Sequence, residues 1–340
     1  MAAPVSVVAA IITPSQSEPV ATDRPLSPDA RVLLSQRRPG KHLAGHWEFP
    51  GGRIEPGETT HAALARELKE ELGVVIEASQ PWCSLTHHYP EKTVHLHIHR
   101  VTQFEGVPAG CEGQLIEWVR WSEVAQRPMP AADQTLLKVF GMAPVAWIAP
   151  SQPHPNETGD AASTALARWR QGLAEIENTP WARDPWWLVW PLGSLSASDE
   201  AWAGARQAMA LAKEAGHRPL LAGSAEKAEA LGASGVYLDQ AAALALTERP
   251  VGLEWVAVAC HDAQGLAQAT ALEADFATLS PLRRAQATPD QHGLGGEQFK
   301  ALMAQAGLPV LALGGVGCED VAWARSLGAF GVAGVHSLWG

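Results

Sequence analysis

Three glutamates in the segment from Gly52 to Val74 carry the clearest chemistry in the sequence. Glu67, Glu70 and Glu71 have the i, i+3, i+4 spacing that brings side chains onto one face of an α-helix. Like charges at this spacing repel one another, and a bound cation would relieve the repulsion. Carboxylate oxygens suit Mg²⁺ or Mn²⁺, and Mg²⁺ usually completes its shell with water and substrate phosphates. The alternative is a solvated acidic face on an ordinary surface helix.

The residues around these glutamates have the pattern of a short amphipathic helix. Thr59 or Thr60 can cap its N-terminus, and Gly73 is a typical C-terminal cap. An apolar stripe beside the acidic face is formed by Leu64, Leu68 and Leu72. One face of the helix is therefore expected to pack on the protein, while the neighbouring face presents the carboxylates.

The run GRIEPGETTHAALARELKEELGV resembles the signature box of the Nudix hydrolases, which cleave nucleoside diphosphates linked to another group. The resemblance implies that the three glutamates bind metal and take part in catalysis. It also implies that a backbone carbonyl of Gly51 or Gly52 is a further metal ligand. In the same family pattern, Glu58 and Arg66 form a structural ion pair that orients the helix.

Within this family, most of the N-terminal region is similar to the MutT-type enzymes, which clear oxidised guanine nucleotides. The similarity lies in LLSQRRPGKHLAGHWEFPGG, HYPEKTVHLHIH, CEGQLIEWVRW and RPMPAADQTLL. It implies that Arg37 contacts phosphate, that Phe49 forms a wall of the base pocket, and that Lys92 lies near the nucleotide. Glu112 would join the metal cluster from outside the box. Asp133 stands where these enzymes have an asparagine that reads the purine edge.

The aspartate at position 133 changes what the base pocket can do. Ionised aspartate only accepts hydrogen bonds, whereas asparagine both donates and accepts. Asp133 must therefore accept from purine N–H groups or be partly protonated in a dry pocket. Alternatively, Asp133 is the N-cap of the last helix in this region, and the two roles are compatible.

The reaction implied by the resemblance is attack of water on the β-phosphorus, with release of a nucleoside monophosphate and pyrophosphate. Metal ions would neutralise the triphosphate and lower the pKa of the attacking water. Glu67 is the expected general base, and Glu112 is the alternative. The expected substrate is 8-oxo-dGTP, whose removal from the nucleotide pool serves DNA replication fidelity and repair.

Length and composition restrict the setting of this chemistry. The chain has 340 residues, 46% of them hydrophobic and 18% charged, which is typical of a soluble protein with more than one domain. A net charge of −11 argues against a long nucleic acid as partner. We expect a cytoplasmic protein, because no apolar run is long enough to span a membrane and the N-terminus lacks a signal-peptide pattern. Reduced thiols are expected at Cys83, Cys111, Cys260 and Cys318.

Residues 1–142 are expected to form the catalytic domain, an α/β/α sandwich with a mixed sheet. Strands are predicted at Val5–Ile12 and Arg31–Gln36, paired as a hairpin, near Pro81–His88, at Thr93–Val101 and around Ile116–Trp121, with a last helix from Asp133 to Phe140. Alternating histidines in one strand, His95, His97 and His99, would share one face. They are interpreted either as a metal site or as polar residues on the outer face of a half-exposed strand.

Residues 143–340 are expected to form a (β/α)₈ TIM barrel, because eight short apolar runs alternate with helical patterns. The predicted strands are Val145–Ala149, Trp186–Trp190, Pro219–Ala222, Gly235–Leu238, Trp255–Cys260, Phe276–Ser280, Pro309–Leu313 and Gly331–Val335. The predicted helices include Ala161–Ile176, Glu200–Ala215 and Gly295–Ala306.

The barrel region resembles the thiamine-phosphate synthase and TenI superfamily, through LGASGVYLDQ, PVLALGGV and GAFGVAGVHSLW. The resemblance implies a phosphate- or thiazole-like ligand near His261, Asp262, the Gly314-Gly315 turn and His336, although tight glycine turns alone would explain the two glycines. Residues that hold the pyrimidine pyrophosphate in the synthases are replaced here by VWPLGSL and Ala222-Gly223-Ser224. We therefore expect that synthase activity is lost.

Two further interpretations remain open. In one, the chain is bifunctional: the N-terminal region hydrolyses a thiamine-related diphosphate and the barrel handles a related intermediate. In the other, the barrel is a non-catalytic module that binds a ligand or mediates oligomerisation.

Overall fold

The computed structural model describes residues 4–14, 24–149, 161–191, 199–283 and 292–334. The N-terminal region forms two small sheets, and the remainder forms a closed barrel of eight strands. None of the helices in the described ranges combines the length and the apolar character needed to cross a bilayer. The cysteines are free thiols, and Cys83 and Cys260 are buried.

The first sheet is mixed and contains most of the N-terminal core. Its strands are β1 (Val5–Ile12), β4 (Gly51–Arg53), β5 (Val75–His88) and β6 (Thr93–Glu105), in the order β4-β1-β6-β5. β1 runs parallel to β6, and the other pairs are antiparallel. The second sheet is antiparallel, in the order β3-β2-β7, with β2 (Arg31–Gln36), β3 (Trp47–Glu48) and β7 (Ile116–Arg120).

The predicted hairpin between the first two strands is wrong, because β1 and β2 lie in different sheets. Hairpin partners are usually joined by two to about five residues, whereas a much longer segment separates these strands. That length lets β2 leave the first sheet and pair with β3 and β7 instead. The mixed α/β character predicted for this region is confirmed.

The acidic helix α1 (Thr60–Leu72) forms as its sequence predicts. The Thr59 hydroxyl accepts a hydrogen bond from the Ala62 N–H at 3.2 Å, which caps the N-terminus. Gly73 ends the helix at φ +70°, a backbone angle that glycine adopts without strain. The leucine stripe is fully buried against the sheet, so the acidic face is left toward the cleft described below.

Two shorter helices follow β7. They are α2 (Trp121–Val124), which we did not predict, and α3 (Ala131–Leu137). The predicted start of the last helix at Asp133 is wrong, because Pro130 occupies the N-cap position and Asp133 lies in the first turn. Proline suits a helix start since it lacks the N–H that would be unsatisfied there. Asp133 is consequently not an N-cap.

The barrel strands are all parallel, and each lies within one residue of its predicted position in the described part of the chain. They are β8 (Val145–Ile148), β9 (Trp187–Trp190), β10 (Arg218–Ala222), β11 (Gly235–Leu238), β12 (Trp255–Cys260), β13 (Phe276–Leu279), β14 (Val310–Leu313) and β15 (Gly331–Gly334). The predicted Val335 lies outside the described residues. The (β/α)₈ barrel is confirmed.

Helices alternate with these strands around the outside of the barrel. They are α4 (Ala161–Ile176), α5 (Asp199–Glu214), α6 (Ala225–Ala230), α7 (Gln240–Leu244), α8 (Ala263–Ala271), α9 (Gly295–Met303) and α10 (Val321–Ser326). A 3₁₀ turn at Cys318–Asp320 precedes the last of them.

The N-terminal region packs against the N-terminal ends of the barrel strands. The Phe140 ring stacks on Trp82 with centroids 4.8 Å apart and lies 6.1 Å from Phe330, which immediately precedes β15. The edge strand β5 donates backbone hydrogen bonds from Ser84 to the Gly328 carbonyl at 2.9 Å and from Thr86 to the Ala306 carbonyl at 2.7 Å. Both acceptors lie in loops that lead into barrel strands. One hydrophobic cluster therefore runs from the sheets into the barrel interior.

One of the β6 histidines is more enclosed than predicted for an outer strand face. His99 is 3% exposed, and its two ring nitrogens lie 3.2 Å from the Ser79 hydroxyl and 3.0 Å from the Thr60 hydroxyl. Burial lowers the pKa of His97 to about 3 and that of His99 to about 4. The exposure of His95 and His97 is intermediate, as expected for a half-exposed face, whereas His99 is buried beside Thr60 at the start of α1.

Candidate active site

A cleft of about 680 Å³ opens where α1, β1, β4 and β6 meet the loop after β2. Glu67 and Glu71 of α1 line one end, and Asp133 of α3 lines the other. Residues of the predicted phosphate and base sites, together with Glu112, lie along the walls between them. The cleft therefore brings together residues that are far apart in the sequence.

Glu67 lies directly against the backbone of β4. A Cβ atom added to Gly52 would overlap the Glu67 carboxyl group, so only glycine lets the strand approach so closely. The Arg66 guanidinium donates to Glu67 at 2.8 Å and to both carboxyl oxygens of Glu58 at 2.9 Å. The hydrogen bonds from Arg66 lower the pKa of Glu58 to about 2. Arg66 thereby joins the PGE turn to the acidic face of α1.

Glu71 is the most electrostatically crowded of the three box glutamates. Burial, followed by negative charge on Glu48, Glu67 and Glu112, raises its pKa to about 8. The Gly51 N–H donates to the Glu71 carboxylate at 3.2 Å and opposes this shift. A cation beside Glu71 would restore its charged form.

The other two predicted metal ligands are more accessible. The Glu70 side chain is 56% exposed, and one of its oxygens lies 3.6 Å from Arg66. The Glu112 carboxylate accepts a hydrogen bond from Arg38 at 2.6 Å. Glu112 is close enough to Glu71 to raise the pKa of Glu71, although it lies in a separate loop.

The donor set in this cleft suits Mg²⁺ or Mn²⁺. It consists of carboxylate oxygens and the backbone next to Gly51 and Gly52, without thiolate or imidazole ligands among the named residues. Burial and then neighbouring negative charge raise the pKa of Glu71, and a divalent ion beside it would favour its charged form. Among the described residues, however, no three His, Cys, Asp or Glu side chains are already placed as ligands of one ion. Arg66 and Arg38 occupy two of the carboxylates instead.

The predicted phosphate and base residues line the same cleft. Arg37 donates to the Glu48 carboxylate and, at 2.6 Å, to the His42 carbonyl, so its guanidinium is fixed. The Lys92 ammonium lies 5.9 Å from the centre of the Tyr89 ring. Phe49 is 3% exposed and stacks on Trp121 at 6.4 Å. Two cationic groups and an apolar wall therefore line the same cleft as the carboxylates.

Asp133 is a buried carboxyl group that faces this cleft. Within the described residues its side chain has no hydrogen-bond partner. Burial raises its pKa to about 8, the negative charge of Glu48 adds to the shift, and Arg37 opposes it. At neutral pH the group is therefore mainly protonated and offers one O–H donor and one acceptor.

Sequence reasoning missed Glu48, Arg38 and Tyr89. Glu48 is largely buried, burial raises its pKa, and it interacts with both Glu71 and Asp133. A charged residue inside the apolar run HWEFPG was the signal that could have identified it. Arg38 could have been found as the neighbour of Arg37, whereas its contact with Glu112 depends on the tertiary fold.

The residues predicted at the barrel end have mixed outcomes. Gly314 and Gly315 adopt φ values of +96° and +64°, beside Arg283, whose guanidinium lies 3.4 Å from the Gly315 carbonyl. Asp262 caps α8 by accepting from the Gly265 N–H at 2.8 Å, and His261 lies 3.1 Å from the Ser280 hydroxyl. His336 lies outside the described residues.

Comparison with known proteins divides the chain as its fold does. A family model described as NUDIX domain matches residues 26–139, and one described as thiamine monophosphate synthase matches residues 195–338. CTP pyrophosphohydrolase of Escherichia coli K12 is 38% identical over 112 residues, which cover 33% of this chain and 83% of that protein. The 8-oxo-dGTP diphosphatase of the same organism is 33% identical over 106 residues, which cover 31% of this chain and 82% of that protein.

Among solved structures, thiamine phosphate pyrophosphorylase from Pyrococcus furiosus is similar at 15% sequence identity and a TM-score of 0.41. The similarity covers 56% of this chain and 83% of that protein.

Proposed function

Because this chain belongs to the NUDIX family through residues 26–139, we propose that its N-terminal region is a metal-dependent nucleoside triphosphate pyrophosphohydrolase. The proposed substrate is 8-oxo-dGTP, which would yield 8-oxo-dGMP and pyrophosphate. The observation that carries the proposal is the cleft itself. It has box carboxylates against a glycine backbone at one end and a buried, protonated carboxyl group, Asp133, at the other.

We infer that Glu67, Glu70, Glu71 and Glu112 hold the metal, together with a backbone carbonyl of Gly51 or Gly52. Bound there, Mg²⁺ or Mn²⁺ would neutralise phosphate charge and lower the pKa of a water ligand. Arg37 and Lys92 lie between the two ends of the cleft and would contact the phosphates. Glu67, placed against β4, is the proposed general base, and Glu112 is the alternative.

The base preference is proposed from Phe49 and Asp133. Phe49 offers a fixed apolar wall for the base, since it is packed against Trp121. Protonated Asp133 presents one donor and one acceptor, as the asparagine of MutT-type enzymes does. Such a pair can bind a purine edge that itself carries a donor next to an acceptor. The relative named for CTP makes cytidine triphosphate the necessary competitor in any test.

The experiment is to measure pyrophosphate release with Mg²⁺ from 8-oxo-dGTP, dGTP, CTP and thiamine pyrophosphate. The wild type is compared with Glu70→Gln, which removes one carboxylate charge from the acidic face. Glu77→Gln is the matched control, because Glu77 is exposed on β5, outside the cleft lining. We expect preference for 8-oxo-dGTP, a loss of about 100-fold or more in Glu70→Gln, and wild-type rates in the control.

Other results would replace this proposal. Preference for CTP would keep the chemistry and change the base. Preference for thiamine pyrophosphate would favour the bifunctional interpretation. Equal activity of Glu70→Gln and wild type would show that the acidic face of the helix does not take part in the reaction.

For the remainder of the chain, we propose a domain boundary between residues 142 and 143 and a barrel that no longer makes thiamine phosphate. The replacement of the synthase residues by VWPLGSL and Ala222-Gly223-Ser224 supports the loss of activity, and Ser224 instead caps α6. A phosphate- or thiazole-like ligand would bind near Gly314, Gly315 and Arg283, where a positive charge lies beside the glycine turn.

A further inference from the structure

A second and larger cleft, of about 1430 Å³, lies between the N-terminal region and the barrel. Residues before β2 and on α3 form one wall, and residues at the start of β9 and β10 form the other. Helix α3 separates this interdomain cleft from the first: Asp133 lines the catalytic cleft, whereas Gln134 and Leu137 line the interdomain cleft. Neither half of the chain alone supplies both walls.

The interdomain cleft is strongly basic in a chain whose net charge is −11. Among the residues that the structure describes, the acidic ones lining it are Asp29 and Asp184. Its basic residues are Arg24, Arg31, Arg100, Lys138, Arg183 and Arg218. The charge of both walls is therefore opposite in sign to the net charge of the molecule.

Several of these cations stabilise the junction between the two halves. Lys138 lies 2.7 Å from the Asp275 carboxylate, and Arg24 lies 3.4 Å from that of Asp184. Arg218 does not take part in the junction, because its acidic neighbour, Glu254 at 3.7 Å, also lies in the barrel. These ion pairs explain why part of the basic cluster exists.

Two arginines on opposite walls are not explained by the junction. Arg31 and Arg183 are exposed, and within the described ranges neither side chain forms a hydrogen bond or ion pair. Arg31 is also directly opposite Arg120 in the β2–β7 ladder. Like charges directly opposite one another destabilise a sheet, and a bound anion would relieve that repulsion. Their placement favours a ligand that lies between the walls.

We propose that the interdomain cleft binds a small anion that carries two or more phosphate groups. Arginine forks match phosphate oxygens in geometry and charge, and several arginines spread over two walls suit more than one phosphate. The bound anion is either inorganic polyphosphate or the phosphate chain of a nucleotide, since both present linked phosphate groups. This proposal is independent of the proposed hydrolase reaction, because none of the catalytic residues lines the interdomain cleft.

The test measures binding of inorganic tripolyphosphate to the full chain by calorimetry, at low salt and with EDTA present. The decisive variant combines Arg31→Ala with Arg183→Ala, and both side chains are exposed, so folding is expected to be retained. The control combines Arg170→Ala with Arg206→Ala, which removes equal charge from exposed positions on α4 and α5. We expect affinity to fall at least about tenfold in the first variant and to stay within about twofold in the control.

ATP and AMP identify the source of the anion. Tripolyphosphate and ATP binding with equal affinity would indicate recognition of the phosphates alone, whereas tighter binding of ATP would indicate a nucleotide. The proposal is overturned if no polyphosphate binds the wild type, or if both double variants weaken binding equally. It is also overturned if Arg37→Ala, in the catalytic cleft, abolishes binding while the Arg31 and Arg183 variant does not.

Discussion

A half-buried carboxylate, Glu48, links the two ends of the proposed catalytic cleft electrostatically. Its negative charge raises the pKa of Glu71, at the proposed metal-binding end, and of Asp133, at the proposed base-binding end. Arg37 donates a hydrogen bond to Glu48 and opposes the burial that raises the pKa of Glu48. Glu48 therefore adds to the effect of burial on both groups, although within the described residues no side-chain hydrogen bond joins it to Glu71 or Asp133.

At the residue scale, we predict that Asp133→Asn stabilises the protein at neutral pH. The folded-state pKa of Asp133, about 8, lies above the ordinary value of 3.8. Its contribution to stability is fully present below the lower value and is lost as the pH rises through the higher one. Asparagine does not titrate, so the advantage of the variant should grow between these values by up to about 1.4 kcal/mol per pH unit.

Chemical denaturation of both proteins across this pH range measures the difference. Asp29→Asn, at an exposed position, is the control and should leave the pH dependence of wild type unchanged. A constant offset between Asp133→Asn and wild type would mean that Asp133 is ionised in the folded protein.

At the scale of elements, consecutive glycines in β4 have different roles. A Cβ atom on Gly51, at φ +152°, would overlap the backbone carbonyl of Val8 in the neighbouring strand. A Cβ atom on Gly52 would instead meet the Glu67 carboxyl group, the far end of a flexible side chain. The first contact can be relieved only by moving the sheet, whereas the second can be relieved by moving Glu67, the proposed general base.

We therefore predict that one of two alanine variants loses stability and the other loses activity. Gly51→Ala should lower the free energy of unfolding by a few kcal/mol, because it forces β4 away from β1. Gly52→Ala should keep wild-type stability and lose about 100-fold or more in pyrophosphate release, because Glu67 is displaced. Thermal unfolding and steady-state kinetics separate the two.

Gly141→Ala is the control, since a Cβ atom there meets nothing within 4 Å. Loss of stability in Gly52→Ala with retained activity per folded molecule would contradict the assigned role of Gly52.

The sequence was most informative where a local pattern determines the element. The caps Thr59 and Gly73 and the leucine stripe define α1 without reference to the rest of the chain. The sequence was least informative about contacts between residues that are far apart along the chain. Pairing of β2 with β7 and the contact of Arg38 with Glu112 depend on tertiary structure, and the burial of Asp133 depends on α3 beginning at Pro130 rather than later.

At the scale of the whole molecule, aromatic side chains connect the sheets to the barrel. Phe140 contacts Trp82, Trp121 and Phe330 at centroid distances of 4.8, 6.0 and 6.1 Å. The barrel strands were predictable from their apolar runs, but the packing of the N-terminal sheets against them was not. Trp187 and Trp255 have the same apolar character as any core residue, and nothing local indicates that a second set of sheets covers that end of the barrel.

We predict that Phe140→Ala destabilises both halves of the chain. Removing a fully buried phenylalanine typically costs about 3–5 kcal/mol. Hydrogen exchange should show faster exchange near Phe330 as well as in the N-terminal region, because the lost contacts span the junction. Phe104→Ala is the matched control: Phe104 packs in a cluster confined to the N-terminal sheets. Faster exchange confined to residues 24–142 in Phe140→Ala would show that the halves unfold independently.

The direction of the barrel has a further consequence for what fusion can achieve. Since the N-terminal ends of its strands are covered, the opposite ends, with His261 and Gly314, open away from the hydrolase cleft. The fold therefore provides no direct passage through the covered barrel ends to these openings. What the fusion does provide is a fixed ratio, with one barrel for every N-terminal region.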